Sequence, residues 1–286
     1  MKTTIIIPTY NAEPYLEQLL PALKMQVGVM PNDFHIIDSS STDNTRQAFK
    51  DFGARVQKID QCEFGHGKTR TFAADLHKDS DILIYMTQDA IPNNMNTIQN
   101  LIATFNNASV SLAFGRQLPR NGAGHIESHG RLYNYGTQSY IASFKDKDHM
   151  GIKTFFCSNS FAAYRRTSLE NIGFFPEEIN FSEDQVVAAK MLLASGEIAY
   201  AANATVKHSH DLTIKEEWER YKMIGATYKD QRGLFGQFGR SEKSGLSFVL
   251  SEFNYLIKKA PWLIPESFLR TLVKYCAYKI TANKND

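Results

Sequence analysis

Glycine is missing where a dinucleotide site would need it. The first β-branched run, TTIII at residues 3–7, ends in PTYNAEPYL, with no GxGxxG after it. That excludes a nicotinamide or flavin site of the usual kind. A Walker loop is absent as well, because FGHGK (64–68) lacks the spacing and follows the third strand. Cysteine is scarce: Cys62, Cys157 and Cys276 are widely separated and form no CxxC pair. Neither a disulfide framework nor a zinc cluster is indicated, and a reducing, cytoplasmic setting fits. The opening MKTTIIIPTYN has three apolar residues in a row before Pro8, too few for a signal peptide. No stretch approaches the roughly 18 apolar residues of a membrane span. A net charge of +2 gives no general attraction to nucleic acid. Repeats and low-complexity linkers are absent too.

What is present is an ordinary globular composition, 43% hydrophobic and 22% charged. The 286 residues suffice for one large α/β domain with an extension. Strands are predicted at 3–7, 34–38, 55–59 and 82–86, with helices between them. Asn11 is placed to cap the first helix, and Pro21 to kink or split it. Strand–helix alternation predicts parallel βαβ units in a doubly wound sheet. Ligands bind such sheets beyond the C-terminal strand ends. Thr9, Asn11, Asp38, Gln88 and Asp89 stand at those ends, so they are expected to converge on one crevice. Further along, a helix is expected at 95–106 and strands near 110–115 and 155–165. Residues 116–150 read as a long functional loop. Ser182 is placed to cap a helix ending near Gly196, and two short strands (IAYA, ATVKH) lead to His208. After Thr213 the pattern is helical, at 214–232, 245–259 and 265–281.

Asp89 follows the fourth strand, where a carboxylate can hold a hard cation against phosphate oxygens; the plainer reading is a turn acid before Pro92. Asp38 could accept from a pyrimidine N–H or serve as an Asx-turn acid. Glu183-Asp184 opens a helix, where the dipole alone favours acids; one of the pair could instead act as a general base. His208 and His210 alternate onto one face and suit metal or phosphate contact. His66 and Lys68 could approach phosphates or lie in a solvated loop; Arg70 is the better anion contact.

IIIPTYNAEPYLEQLL, IIDSSSTDNT, FGHGKTR, MTQDA, FSEDQ and VKHSH occur in this order across residues 3–211. Together they resemble the family 2 inverting glycosyltransferases of the GT-A fold. The resemblance implies an α/β nucleotide-sugar-binding domain at 1–211, mostly parallel in its sheet, and a C-terminal helical extension at 212–286. By the same resemblance Thr9, Asn11, Asp38, Arg70 and Gln88 contact the nucleotide, and Asp89 and His208 hold Mg2+ or Mn2+. Asp184 becomes the catalytic base. The chain departs from the family at Ser39, where many members carry a second Asp, at Thr87, the first acid of DxD, and at Thr71, a common Asn. The TQDA form with FGHGK-R and HSH looks like the rhamnosyltransferase-like branch. It implies dTDP-L-rhamnose as donor, with a UDP-sugar as the alternative, and a saccharide or polyprenyl-linked acceptor. Two rival functions stand beside it, a nucleotidyltransferase and a non-catalytic sugar-nucleotide-binding protein.

The last helices combine apolar residues (Phe248, Phe253, Trp262, Leu263) with Lys258, Lys259, Arg270, Lys274 and Lys279. Residues 212–286 carry five more basic than acidic residues, while the rest carries three more acidic than basic. Packing on the domain, a homodimer interface, and peripheral docking on the inner membrane surface are the readings this pattern allows.

Overall fold

The computed structural model describes residues 1–179, 181–239 and 242–282. The first half is β1 (Thr3–Thr9), α1 (Glu13–Lys24), β2 (Phe34–Asp38), α2 (Thr45–Phe52), β3 (Arg55–Lys58), α3 (His66–Leu76) and β4 (Ile82–Met86). A short β5 (Ile91–Pro92), α4 (Thr97–Ile102) and β6 (Val110–Leu118) follow. Then come α5 (His125–Asn134), β7 (Tyr140–Ala142), α6 (Lys147–Met150), β8 (Phe161–Arg165) and α7 (Arg166–Asn171). The chain continues through α8 (Glu183–Leu193), β9 (Glu197–Lys207), α9 (Ile214–Asp230), α10 (Arg232–Phe235), α11 (Glu242–Lys259) and α12 (Ile264–Ala282).

One sheet runs in the order β3-β2-β1-β4-β8-β6-β9-β5, with β7 also on β9. Strands β3, β2, β1 and β4 are parallel, as the βαβ alternation predicts. Beyond β4 the sheet is mixed: β8 is antiparallel to β4 and β6, while β6 and β9 are parallel. The apolar runs are continuous because both faces are covered. Successive side chains point to opposite faces. Ile6, Leu83 and Tyr85 therefore join the core under α3 and α8, with Ala73, Val186, Val187 and Met191. Ile5, Ile7, Ile82, Ile84 and Met86 join the other core, with Leu16 and Leu19 of α1, Phe49 of α2 and Ile98 of α4.

Several local expectations are corrected. Helix α1 runs unbroken through Pro21. Pro21 sits in the last turns on an exposed face, so the carbonyl it leaves unpaired can reach water. Residues 116–150 are not an open loop. They hold the end of β6, then α5, β7 and α6, and they pack Tyr135 and Tyr140 against Tyr200. The strand expected at 155–165 begins only at Phe161. The two strands expected before His208 are one 11-residue strand, β9. Its register slips where Gly115 pairs with Ala201 and Arg116 with Thr205, so residues 202–204 bulge.

The C-terminal helices are tied to the sheet domain. Phe235 stacks on Phe155 at 4.9 Å, and both belong to the first core. Ser251 of α11 meets His129 of α5 at 2.9 Å, and Glu217 of α9 holds Arg270 and Lys274 of α12 at 3.1 and 3.0 Å.

The glycine of FGHGK owes its place to packing. A Cβ on Gly67 would fall 2.0 Å from the Pro176 carbonyl oxygen, which is backbone and cannot swing away. Gly67→Ala is therefore expected to cost about 1–3 kcal/mol, lowering the melting temperature by several degrees. An unchanged melting temperature would contradict the close approach.

Candidate active site

The strand-end residues do converge. Thr9 and Asp38 are register partners, and Thr9 Oγ1 donates to Asp38 Oδ2 at 2.9 Å. Gln88 grips the Tyr10 backbone with both amide atoms, at 2.8 and 3.1 Å, locking the ends of β1 and β4 together. Asn11 does not cap α1. It takes a left-handed backbone (φ 47°), which asparagine tolerates, and its Oδ1 accepts from Thr42 N at 2.9 Å. The first amides of α1 are instead satisfied from the following loop, Ala12 N by Thr45 Oγ1 and Glu13 N by Asp43.

Asp38 is 0% exposed. It accepts from Thr9, from the amide and hydroxyl of Ser41 at 2.9 and 2.5 Å, and lies 3.5 Å from Arg46. So saturated a carboxylate shapes the crevice wall rather than offering a free acceptor to a base. Arg70 has a partner within the protein. It is buried and gives Nη1 to Glu183 Oε1 at 2.5 Å. Lys68 points to solvent and His66 opens α3.

Two groups of titratable residues stand on this edge of the sheet. In the first, Asp89 Oδ2 lies 3.3 Å from His208 Nε2 and 3.4 Å from His210 Nε2. One ligand atom from each of the three lies within 4.8 Å of the others. Gln117, buried on β6, sets the His208 ring. Its Oε1 accepts from Arg131 Nη1 at 2.5 Å and lies 2.9 Å from His208 Nδ1. A guanidinium only donates, so the Gln117 atom facing it is oxygen, and the Nδ1 it also meets carries a hydrogen. Nε2 is thereby turned on the Asp89 carboxylate, buried and without a hydrogen-bond partner. Two such acceptors at 3.3 Å require a positive particle between them, a proton or a metal ion. Burial raises the Asp89 pKa, but the His208 and His210 imidazoles outweigh it and hold the carboxylate below its usual range. Burial, then the charge of His208, pushes His210 down to about 4, so it is neutral and ready to ligate at neutral pH. One carboxylate and two imidazole nitrogens thus form a donor set that fits a divalent cation.

The second group is the acid pair at the start of α8. Ser182 is its N-cap residue by position, at φ 65°, but makes no side-chain cap bond. Glu183 is buried against Arg70 and accepts from Asn159 Nδ2 at 3.1 Å. Asp184 keeps partial exposure and accepts from the backbone amides of Asn159 and Gln185 at 3.1 and 2.8 Å. Burial, then the charge of Glu183, pushes its pKa up to about 7, against the pull of those amides and Arg70. Asn159 is fixed in turn by the Tyr164 hydroxyl at 2.6 Å. Thr87 N donates to Ser160 O at 3.2 Å, so Asn159 and Asp89 flank one strand pairing and the two groups share an edge.

Residues 4–173 match the family model for glycosyl transferase family 2. The chain is 40% identical over 278 residues to the O-antigen chain rhamnosyltransferase WbaN of Salmonella anatum, covering 97% of this chain and 88% of that protein. It is equally 40% identical over 281 residues to RfbN of Salmonella typhimurium, also an O-antigen chain rhamnosyltransferase, covering 98% and 89%. Among solved structures it is similar to a mannosyltransferase, PcManGT from Pyrobaculum calidifontis, in complex with GDP-Man and Mn2+. That likeness has a TM-score of 0.63 at 16% identity, covering 98% of this chain and 85% of the other. The S. aureus TarS 1-349 structure is similar at TM-score 0.58 and 18% identity, covering 99% and 90%. This protein belongs to glycosyl transferase family 2, with the GT-A fold. It is a glycosyltransferase of cell-surface polysaccharide synthesis, and the two rival functions give way to that.

Gln117, Arg131 and the fixing role of Asn159 were not legible in the sequence, because their partners are distant in the chain. The spacing of His208 and His210 on one face was the signal for the second imidazole. Gln117→Leu should weaken Mn2+ binding about 10–100-fold, read by electron paramagnetic resonance of free Mn2+. Unchanged affinity would contradict the role given to Gln117.

Proposed function

We propose that this protein moves L-rhamnose from dTDP-L-rhamnose to a hydroxyl of a lipid-linked glycan, with inversion at the sugar carbon. The observation that carries the reading is the separation of tasks at the sheet edge. A metal-competent trio lies at the end of β4, and a free carboxylate of raised pKa opens α8. The 40% identity to two O-antigen chain rhamnosyltransferases supports the donor. A divalent cation, when bound, neutralises the charge that develops on the departing diphosphate. Asp89, His208 and His210 hold it. Of the two ions expected, manganese fits better, since two imidazoles and one carboxylate are softer donors than magnesium prefers. Asp184 takes the proton of the acceptor hydroxyl as that oxygen bonds to the sugar carbon. The bond from that carbon to the diphosphate oxygen breaks, and its electron pair leaves with the phosphate. Thr9, Asn11 and Gln88 position the strand ends that receive the nucleoside, and Asp38 and Arg70 support them from behind. Residues 1–211 form the catalytic unit and 212–286 its extension.

The extension is proposed to rest on the inner, anionic face of the membrane. Leu246, Leu250, Phe253 and Ile257 form an exposed stripe on α11, and Phe268, Leu272 and Tyr275 one on α12. Trp262 between them is 71% exposed. Lys258 and Lys259 beside it are exposed and suit anionic headgroups. No helix among the described residues is long and apolar enough to cross a membrane. The protein should float with vesicles containing phosphatidylglycerol and not with purely zwitterionic ones, and Trp262→Ser with Phe268→Ser should abolish flotation. A dimer in sedimentation that the same changes dissolve, without flotation, would replace the membrane by a second copy.

Asp184→Asn should lower kcat by about 10²–10⁴-fold and leave nucleotide binding intact. For the wild type, kcat/KM should rise with pH through a limb near 7, as Asp184 loses its proton. Its raised folded-state pKa stabilises the fold below the ordinary carboxylate range and is lost as pH rises toward 7. Above that pH Asp184→Asn should melt no lower than wild type. Full turnover in Asp184→Asn would sink the assignment of the base.

A further inference from the structure

We infer that Arg220, on the first helix of the extension, is a binding residue for the nucleoside diphosphate, an inference that rests on the transferase reading of this site. Arg220 lies in the second turn of α9, partly buried, with its guanidinium 4.9 Å from the centre of the Phe181 ring. Phe181 stands three residues before Asp184 in the chain. The charge of Arg220 also acts on His210, and so does that of Arg131. The guanidinium is therefore packed on the residue that leads into the acid pair and is within electrostatic reach of the metal-competent trio.

No described side chain pairs with Arg220 directly. Arg131 is paired with Glu127, Lys222 with Glu219, Arg270 with Glu217 and Glu266, and Lys274 with Glu217. Arg220 makes no hydrogen bond and no ion pair with any described residue; its aromatic contact is with a π face. Burial pulls its pKa down, and the charge of Arg131 adds to this against the opposing pull of Tyr221, Glu127 and Tyr135; Glu127 is itself taken up by Arg131 at 2.8 Å. Holding an arginine half-desolvated next to another arginine is costly unless an anion completes the set. The anion this position would receive is the diphosphate. A planar guanidinium can give two parallel hydrogen bonds to phosphate oxygens. As the bond from the sugar carbon to the phosphate oxygen breaks, the electron pair stays on that oxygen, and Arg220 faces the charge it leaves. The extension is then part of the active site, and docking of α9 completes the donor pocket.

The competing account is that Arg220 only ties α9 to Phe181. The test measures calorimetric binding of thymidine diphosphate, thymidine monophosphate and thymidine, all with Mn2+, to the full-length protein and to Arg220→Gln, Arg220→Lys and Phe181→Leu. Melting temperatures are taken in parallel. Arg220→Gln should weaken the diphosphate about tenfold or more and leave thymidine unchanged. Arg220→Lys should recover part of the loss, and Phe181→Leu, which keeps the charge, should bind the diphosphate nearly as wild type does. Wild-type affinity for the diphosphate in Arg220→Gln, or an equal loss with Phe181→Leu, would overturn the inference. Failure of the wild type to bind any of the three would overturn the dTDP-donor reading, and this inference with it.

Discussion

Two acids in succession cannot both ionise cheaply in a half-buried helix turn, and the active site turns on how this chain divides them. Arg70 takes Glu183 at 2.5 Å, and Asn159 Nδ2 completes the pair. Removing one partner of such a pair costs about 3–5 kcal/mol, because a buried charge is left alone. Glu183 is thereby held as a fixed negative charge. Asp184 feels that charge and its own burial and stays open enough to meet a hydroxyl. A carboxylate poised near neutral pH follows from sequence adjacency plus one arginine 113 residues away in the chain. Asn159 couples the division to the rest of the fold: its side chain serves Glu183 and its backbone serves Asp184.

The opposite side of the site obeys the same logic with the sign reversed. There a single carboxylate, Asp89, meets two imidazoles, and Thr87 stands where the family often places another acid. Lost carboxylate charge is replaced by neutral nitrogen donors rather than by a second anion. Gln117 makes that replacement work, since an imidazole serves as a ligand only if its other nitrogen holds the hydrogen. Gln117 is itself oriented by Arg131, which Glu127 anchors at 2.8 Å. The helix carrying Arg131 and Glu127 belongs to the segment that reads as a loop, so structure that looks irregular in the sequence supplies the outer support of the candidate metal site.

The parts legible in the sequence are those whose cause is local. β1, β2 and β4 are apolar runs because two faces are buried, and their ends are polar because the sheet edge is a crevice. Asp89, His208 and Asp184 stand out in the sequence by position and by motif. What escaped depends on long-range partners. Gln117 finds its acceptor role 91 residues away at His208, and Arg70 its carboxylate 113 residues away at Glu183. Nothing local in the sequence showed that the fold brings an acid beside Arg70. For Asp38 the Asx-turn alternative pointed to Ser41, from whose amide and hydroxyl it accepts, but not to Thr9 on the neighbouring strand. Pro21 misled for a different reason: the backbone group it leaves unpaired faces water, so the helix tolerates it.

The account's central claim is a single displacement at the sugar carbon with Asp184 as base. It is tested most directly by the anomeric configuration of the product, read by nuclear magnetic resonance after transfer from dTDP-L-rhamnose to a lipid-linked glycan in the presence of Mn2+. The product should carry the configuration opposite to that of the donor. Retention of the donor's configuration would require a covalent or front-face route and would contradict the role given to Asp184.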